Sequence, residues 1–136
     1  MFWVQINWVE GYLNLHFRII LWITKLISFQ IAPKLTKIGH KRNQTVGSIF
    51  QVLCTIEEGS HPIFFEWFKN SVPLKSSPEV NYKIENSMFS STFMIVNIDL
   101  KDAANYSCFA KNSFGSDSYG VILNINGMFA LISSNS

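Results

Sequence analysis

The side chains of this chain that could do chemistry are few and dispersed. His16, His40 and His61 stand far apart, with no His-Glu-x-x-His run to bring two imidazoles onto one metal ion. The densest acidic group is Glu57-Glu58, just ahead of His61, and adjacent carboxylates in a turn are ordinarily solvated rather than poised for proton transfer. No Gly-x-Ser-x-Gly nucleophile elbow and no Gly-rich phosphate loop occurs; Gly59, Gly115, Gly120 and Gly127 stand singly. Two cysteines, Cys54 and Cys108, complete the inventory, and thiols can attack, ligate or cross-link. The inventory points to binding rather than catalysis, with no metal site and no cofactor.

The totals fit that expectation. The 136 residues are 48% apolar, with twelve Phe and four Trp, ample for one core, and roughly thirty to forty residues lie beyond one ordinary domain. The formal net charge of +2 is too slight for a phosphate backbone. The densest basic stretch, Lys37–Arg42, is expected to lie solvated near the start of the domain. Nucleic acid is therefore not an expected partner.

The elements that must position these residues are strands. Between 33 and 126 apolar residues recur at every second position, the period of a half-buried strand. Ser48–Ile56 sets Phe50, Val52, Cys54 and Ile56 on one face. A turn over Glu57–Pro62 leads to Ile63–Lys69, where Ile63, Phe65 and Trp67 share a side. Asn70–Pro78 is a loop with room for one short edge strand. Val80–Glu85 and Ser91–Ile98 follow, the latter turning Phe93, Ile95 and Ile98 inward. After a turn over Asp99–Asn105 the chain returns through Tyr106, Cys108 and Ala110. A hairpin at Gly115 then leads into Ser118–Ile125, with Val121, Leu123 and Ile125 inward. Both cysteines and Trp67 share the inward phase, so the pattern predicts two packed antiparallel sheets.

The order Cys54, Trp67, then Asp102-x-Ala104-x-Tyr106-x-Cys108, with Ser91–Ile95, Ile98 and Ala110–Gly115, resembles an immunoglobulin I-set domain. Ala32-Pro33-Lys34, Trp67–Asn70 and Leu123-Asn124-Ile125 add a likeness to the Down syndrome cell adhesion molecule-like proteins. The resemblance covers about 32–127 and implies an all-β, immunoglobulin-like antiparallel sandwich. It implies a Cys54–Cys108 disulfide between the sheets, Trp67 packed on it, and Tyr106, after Asp102, hydrogen-bonded to nearby backbone as a corner. Glycine is usual two residues before that tyrosine, and Ala104 replaces it, which a negative φ permits. A bridge implies an oxidising, extracellular setting; buried free thiols in an intracellular domain, as in muscle arrays, are the alternative. Closing a loop of about 55 residues would contribute ~4 kcal/mol on the chain-entropy model.

The family's role is homophilic recognition by a cell-surface receptor of many domains, in neurite self-recognition or arthropod immunity. The implied partner is protein: a second copy or a related surface immunoglobulin protein. Contact with a membrane would come only through an anchor elsewhere in a parent chain. A secreted single-domain ligand-binding immune protein is a further alternative.

If Trp67 and Cys108 point inward, alternation sends Phe64, Glu66 and Phe68 outward on one strand, Phe109 and Lys111 on the next, and Ile122 on the last. Phe64, Phe109 and Ile122 would then form an apolar patch ringed by charge, a candidate interface. Two N-glycosylation sequons agree with secretion: Asn43-Gln44-Thr45, expected in a polar loop and the better acceptor, and Asn105-Tyr106-Ser107, crowded by the corner tyrosine. The flanks 1–32 and 127–136 carry no strand pattern. Within the first, Arg18 and Lys25 leave only Ile19–Thr24 uncharged between them, too short to span a bilayer. It is expected to be a poor signal peptide or translated flanking sequence, and the second a short tail.

Overall fold

In the computed structural model residues 18–19 and 30–127 are described. The expectations for the rest of the two flanks lie outside the described residues.

Among the described residues nine strands build two facing sheets. β1 (Lys34–Leu35), β3 (Phe50–Glu58), β7 (Ser90–Ile95) and β6 (Tyr82–Asn86) form one, in the order β1-β3-β7-β6. β2 (Lys41–Thr45), β9 (Gly115–Asn126), β8 (Ala104–Asn112), β4 (Phe64–Lys69) and β5 (Val72–Leu74) form the other, in the order β2-β9-β8-β4-β5. A 3-10 turn over Leu100–Asp102 joins β7 to β8 across the sandwich.

The inward alternation is that of the sequence. Phe50, Val52 and Cys54 on β3, Phe93 and Ile95 on β7, Tyr106, Cys108 and Ala110 on β8, and Val121 and Leu123 on β9 are buried. Ile63, Phe65 and Ile125 pack half-buried around them. Phe93 is the hub, with ring centroids of Trp67 and Tyr82 at 5.4 Å and of Tyr106 at 5.0 Å. Tilted aromatic pairs at such distances add attraction beyond the area they bury.

The sandwich is as expected, with three details corrected. The sandwich is not wholly antiparallel, because β2 runs parallel to β9, with Lys41 opposite Ile122 and Asn43 opposite Asn124. Asn43 accordingly lies in an edge strand rather than in a loop. Lys41–Thr45 has no apolar residue to betray a strand. Its inward positions are polar side chains that meet backbone carbonyls of the opposite layer: Arg42 Nη1 donates to Gln51 O at 2.7 Å and Gln44 Nε2 to Ile49 O at 3.0 Å. β3 also runs on through Glu58, so the turn begins at Gly59. There φ is +148° and a Cβ would stand 3.0 Å from the backbone of Pro33, so glycine is required by both conformation and space.

Candidate binding surface

Cys54 on β3 and Cys108 on β8 are joined, Sγ to Sγ at 2.00 Å, which stitches the two sheets through their central strands. Trp67 is the register partner of Cys108, and Ser91 that of Cys54. The indole Nε1–H donates to Ser91 Oγ at 2.7 Å, so a buried hydrogen bond spans the sheets beside the covalent one. Ser91 Oγ in turn donates to Asn86 Oδ1. Strand alternation does not single out this role of Ser91, because its partner depends on register between distant strands.

Tyr106 forms the corner. Its hydroxyl donates to Asp102 O at 2.6 Å. Burial, and secondarily the Asp102 carboxylate, push its phenol above the ordinary range. Asp102 Oδ2 accepts from Asp99 N–H while Asp99 Oδ1 accepts from Leu100 N–H, closing the turn that aims β8. Ala104 sits at the start of β8 and is absent from the positive-φ positions, as its side chain requires.

These buried residues fix which side chains face outward. On the outer face of the five-stranded sheet Glu66 lies opposite Phe109 and Phe64 opposite Lys111. Lys111 Nζ donates to Glu66 Oε1 at 2.7 Å, crossing diagonally between the two phenylalanines. Phe64 is 59% exposed and Phe109 40% exposed. Phe68 also faces outward, its ring edge-on to Phe109 at 5.1 Å, and the exposed Pro73 of β5 is its register partner. Phe64 and Phe109 thus flank one ion pair, and Phe68 with Pro73 carries the apolar surface on toward β5. Proline on β5 lacks an N–H, which blunts this edge against strand pairing and leaves the face as the sheet's open surface.

Ile122 does not join this patch. It is exposed, but it stands opposite Asn105, four residues along β8 from Phe109. At the rise of a strand that is about 13 Å. Ser107, Gly120 and Ser118 lie between. The expected single patch is therefore two: a phenylalanine cluster on β4 and β8, and Ile122 beside Asn105, Lys41 and Asn124. Both sequon asparagines are exposed, and both face the same way as Ile122. Asn43 Oδ1 accepts from Asn124 Nδ2 at 3.1 Å. Among the described residues no group of three His, Cys, Asp or Glu side chains could hold a metal ion.

The model of the immunoglobulin I-set domain matches residues 33–125. The chain belongs to this family. Human pro-neuregulin-2, membrane-bound isoform, is 28% identical to the I-set chain over 102 residues, 75% of this chain and 12% of that protein. Chicken cell adhesion molecule DSCAML1 is 30% identical over 69 residues, 51% of this chain and 3% of that protein. The chain thus spans a small part of these relatives. Among solved structures, the seventh immunoglobulin domain of Dscam1 superposes with a TM-score of 0.65 at 24% identity, over 71% of this chain and 99% of that one. The titin I-band fragment I67-I69 superposes with a TM-score of 0.64 at 24% identity, over 71% and 33%. At such identities the structural likeness speaks to the fold alone. The I-set domain is an immunoglobulin domain homologous to cell-adhesion proteins, joined by one inter-sheet disulfide.

Proposed function

We propose that this I-set domain is an extracellular, non-enzymatic module of a Dscam-like surface receptor, and that it binds a second copy of itself. The outer face of β4 and β8 is the docking surface. One observation carries the proposal: exposed Phe64 and Phe109 lie on neighbouring strands of one sheet face and flank a Glu66–Lys111 ion pair. Contiguous exposed apolar surface with a charged rim is the composition of an interface. The charges also favour a copy as the occupant. A two-fold contact brings the same patch onto itself, so Lys111 of each copy meets Glu66 of the other while the phenylalanines pack between them.

The test is sedimentation of the chain, made without glycan in an oxidising compartment such as the bacterial periplasm, across a concentration series. Wild type is expected to self-associate at micromolar concentration. Phe109→Asp should remain monomeric with an unchanged circular dichroism spectrum. Leu53→Asp, on the outer face of the opposite sheet, should associate as wild type. Association that Phe109→Asp leaves untouched would sink the assignment of this face, and a wild type monomeric throughout would sink homophilic binding. The titin likeness supports a second reading, an intracellular structural module. It predicts free thiols in the native chain and no glycan, which intact mass with and without reductant and glycosidase decides.

A further inference from the structure

We propose that Asn105 carries an N-linked glycan and that this glycan gates the outer face of the five-stranded sheet, which docks only when Asn105 is bare. The gating half rests on the homophilic reading above; the acceptor half does not.

The acceptor is built into β8 and β9 together. Asn105 is exposed between the buried Ala104 and Tyr106, so strand alternation turns its amide outward. Its backbone is held from the side: its N–H donates to Asn70 Oδ1 at 2.9 Å, and its carbonyl accepts from Asn70 N–H at 2.8 Å. Gly120 lies diagonally across on β9. A Cβ there would stand 3.3 Å from Asn105 Oδ1 and 3.6 Å from Ser107 Oγ. The sequon's amide and its hydroxyl therefore both border the notch left by the missing side chain. Gly120 has no positive φ, so its backbone does not call for glycine, and the space is what the residue supplies. Asn43 is placed differently: its amide oxygen accepts from Asn124 on the neighbouring strand, and among the described residues no glycine opens a notch beside it.

The chemistry needs one donor, a lipid diphosphate-linked oligosaccharide, in the secretory pathway. Asn105 Nδ2 forms a bond to C1 of the first sugar. The bond from C1 to the diphosphate oxygen breaks, the lipid diphosphate leaves with the electron pair, and the amide nitrogen gives up one proton to a base. Nothing is oxidised or reduced. The product is a bulky, solvated chain rooted beside Ile122. Phe109 is about 13 Å further along the same strand face. A second copy seated on Phe64 and Phe109 would have to pass that chain.

The test uses the full chain secreted from glycosylating eukaryotic cells. Peptide mapping after glycosidase treatment is expected to find Asn105 occupied. Enzymatic removal of the glycan should lower the concentration needed for self-association at least tenfold in sedimentation, and Phe109→Asp should abolish that association. Asn105→Gln should behave as the deglycosylated protein. Ser107→Ala, which removes the sequon without touching Asn105, should do the same and guards against misfolding of the first variant. A bare Asn105 in secreted protein overturns the proposal. An occupied Asn105 whose removal leaves an observed association unchanged overturns the gating while the homophilic reading stands. An occupied Asn105 with no association in either glycoform overturns the gating together with that reading, and leaves only the acceptor.

Discussion

At the scale of single residues, the corner hydroxyl of Tyr106 is the clearest case of a polar group that the core depends on. It is almost wholly buried and donates to the carbonyl of Asp102. Tyr106→Phe keeps the ring against Phe50 and Phe93 but leaves that carbonyl without its donor. Loss of such a bond costs about 1–3 kcal/mol when the remaining partner stays buried. Denaturant titration should show the midpoint falling with the slope unchanged; an unmoved midpoint would mean that water replaces the hydroxyl. Cys54, Trp67, Tyr106 and Cys108 were legible because type, order and inward phase all agree on them, and Asp102 because it opens the turn before Tyr106. Ser91 was not, because nothing local to a serine on a strand says that an indole from another sheet will donate to it.

At the scale of elements, legibility followed hydrophobic alternation. β3, β4, β7, β8 and β9 each place apolar side chains on one face, and each overlaps the stretch where that pattern puts it, although β3 runs on to Glu58, β7 ends at Ile95, β8 starts at Ala104 and β9 at Gly115. β2 does not, since its inward residues are Arg42 and Gln44 and its pairing with β9 is parallel, so neither pattern nor hairpin chemistry announces it. The first strand is also weakly written, only two residues long, and it depends on a side chain from across the domain. Asp117 Oδ2 accepts from Leu35 N–H at 2.9 Å, and Oδ1 accepts from Lys37 Nζ at 3.0 Å and from Ser118 N–H. Partial burial pushes this carboxyl upward, but the Leu35, Lys37 and Ser118 donors outweigh it and hold it below the ordinary carboxylate range. A depressed folded value means that the ionised form is favoured by folding. Its contribution is thus present above about pH 4, the unfolded value, and is lost as pH falls through the folded one. The wild-type stability should decline over that acidic interval more steeply than that of Asp117→Asn, whose own loss at pH 7 should be modest because the carboxylate keeps some exposure and its Lys37 partner is exposed. Parallel pH profiles for the two proteins would rule out this clamp.

At the scale of the whole molecule, the bridge and the proposed docking face are one construction. Cys108 points inward from the strand that points Phe109 outward, and Trp67 does the same for Glu66 and Phe68 on the neighbouring strand. Whatever fixes the inward set therefore fixes the register of the face. The disulfide closes a loop of 54 residues of sequence separation, which on the chain-entropy model contributes ~4 kcal/mol. A domain of this size has a total of about 5–15 kcal/mol. The buried aromatic cluster around Phe93 remains when the bridge is removed, so Cys54→Ala with Cys108→Ala should fold but only marginally, with a cavity where the sulfurs were. Urea titration should bring its midpoint well below that of the oxidised chain. Self-association should fall in proportion to the folded fraction, since the exposed residues themselves are untouched. A double variant as stable as the parent would show that the core alone holds the sheets together, and would take away the physical ground for linking this domain to an oxidising compartment. A variant that stays folded yet no longer associates would mean that the bridge acts on the face directly, through the spacing of β4 and β8, rather than through stability.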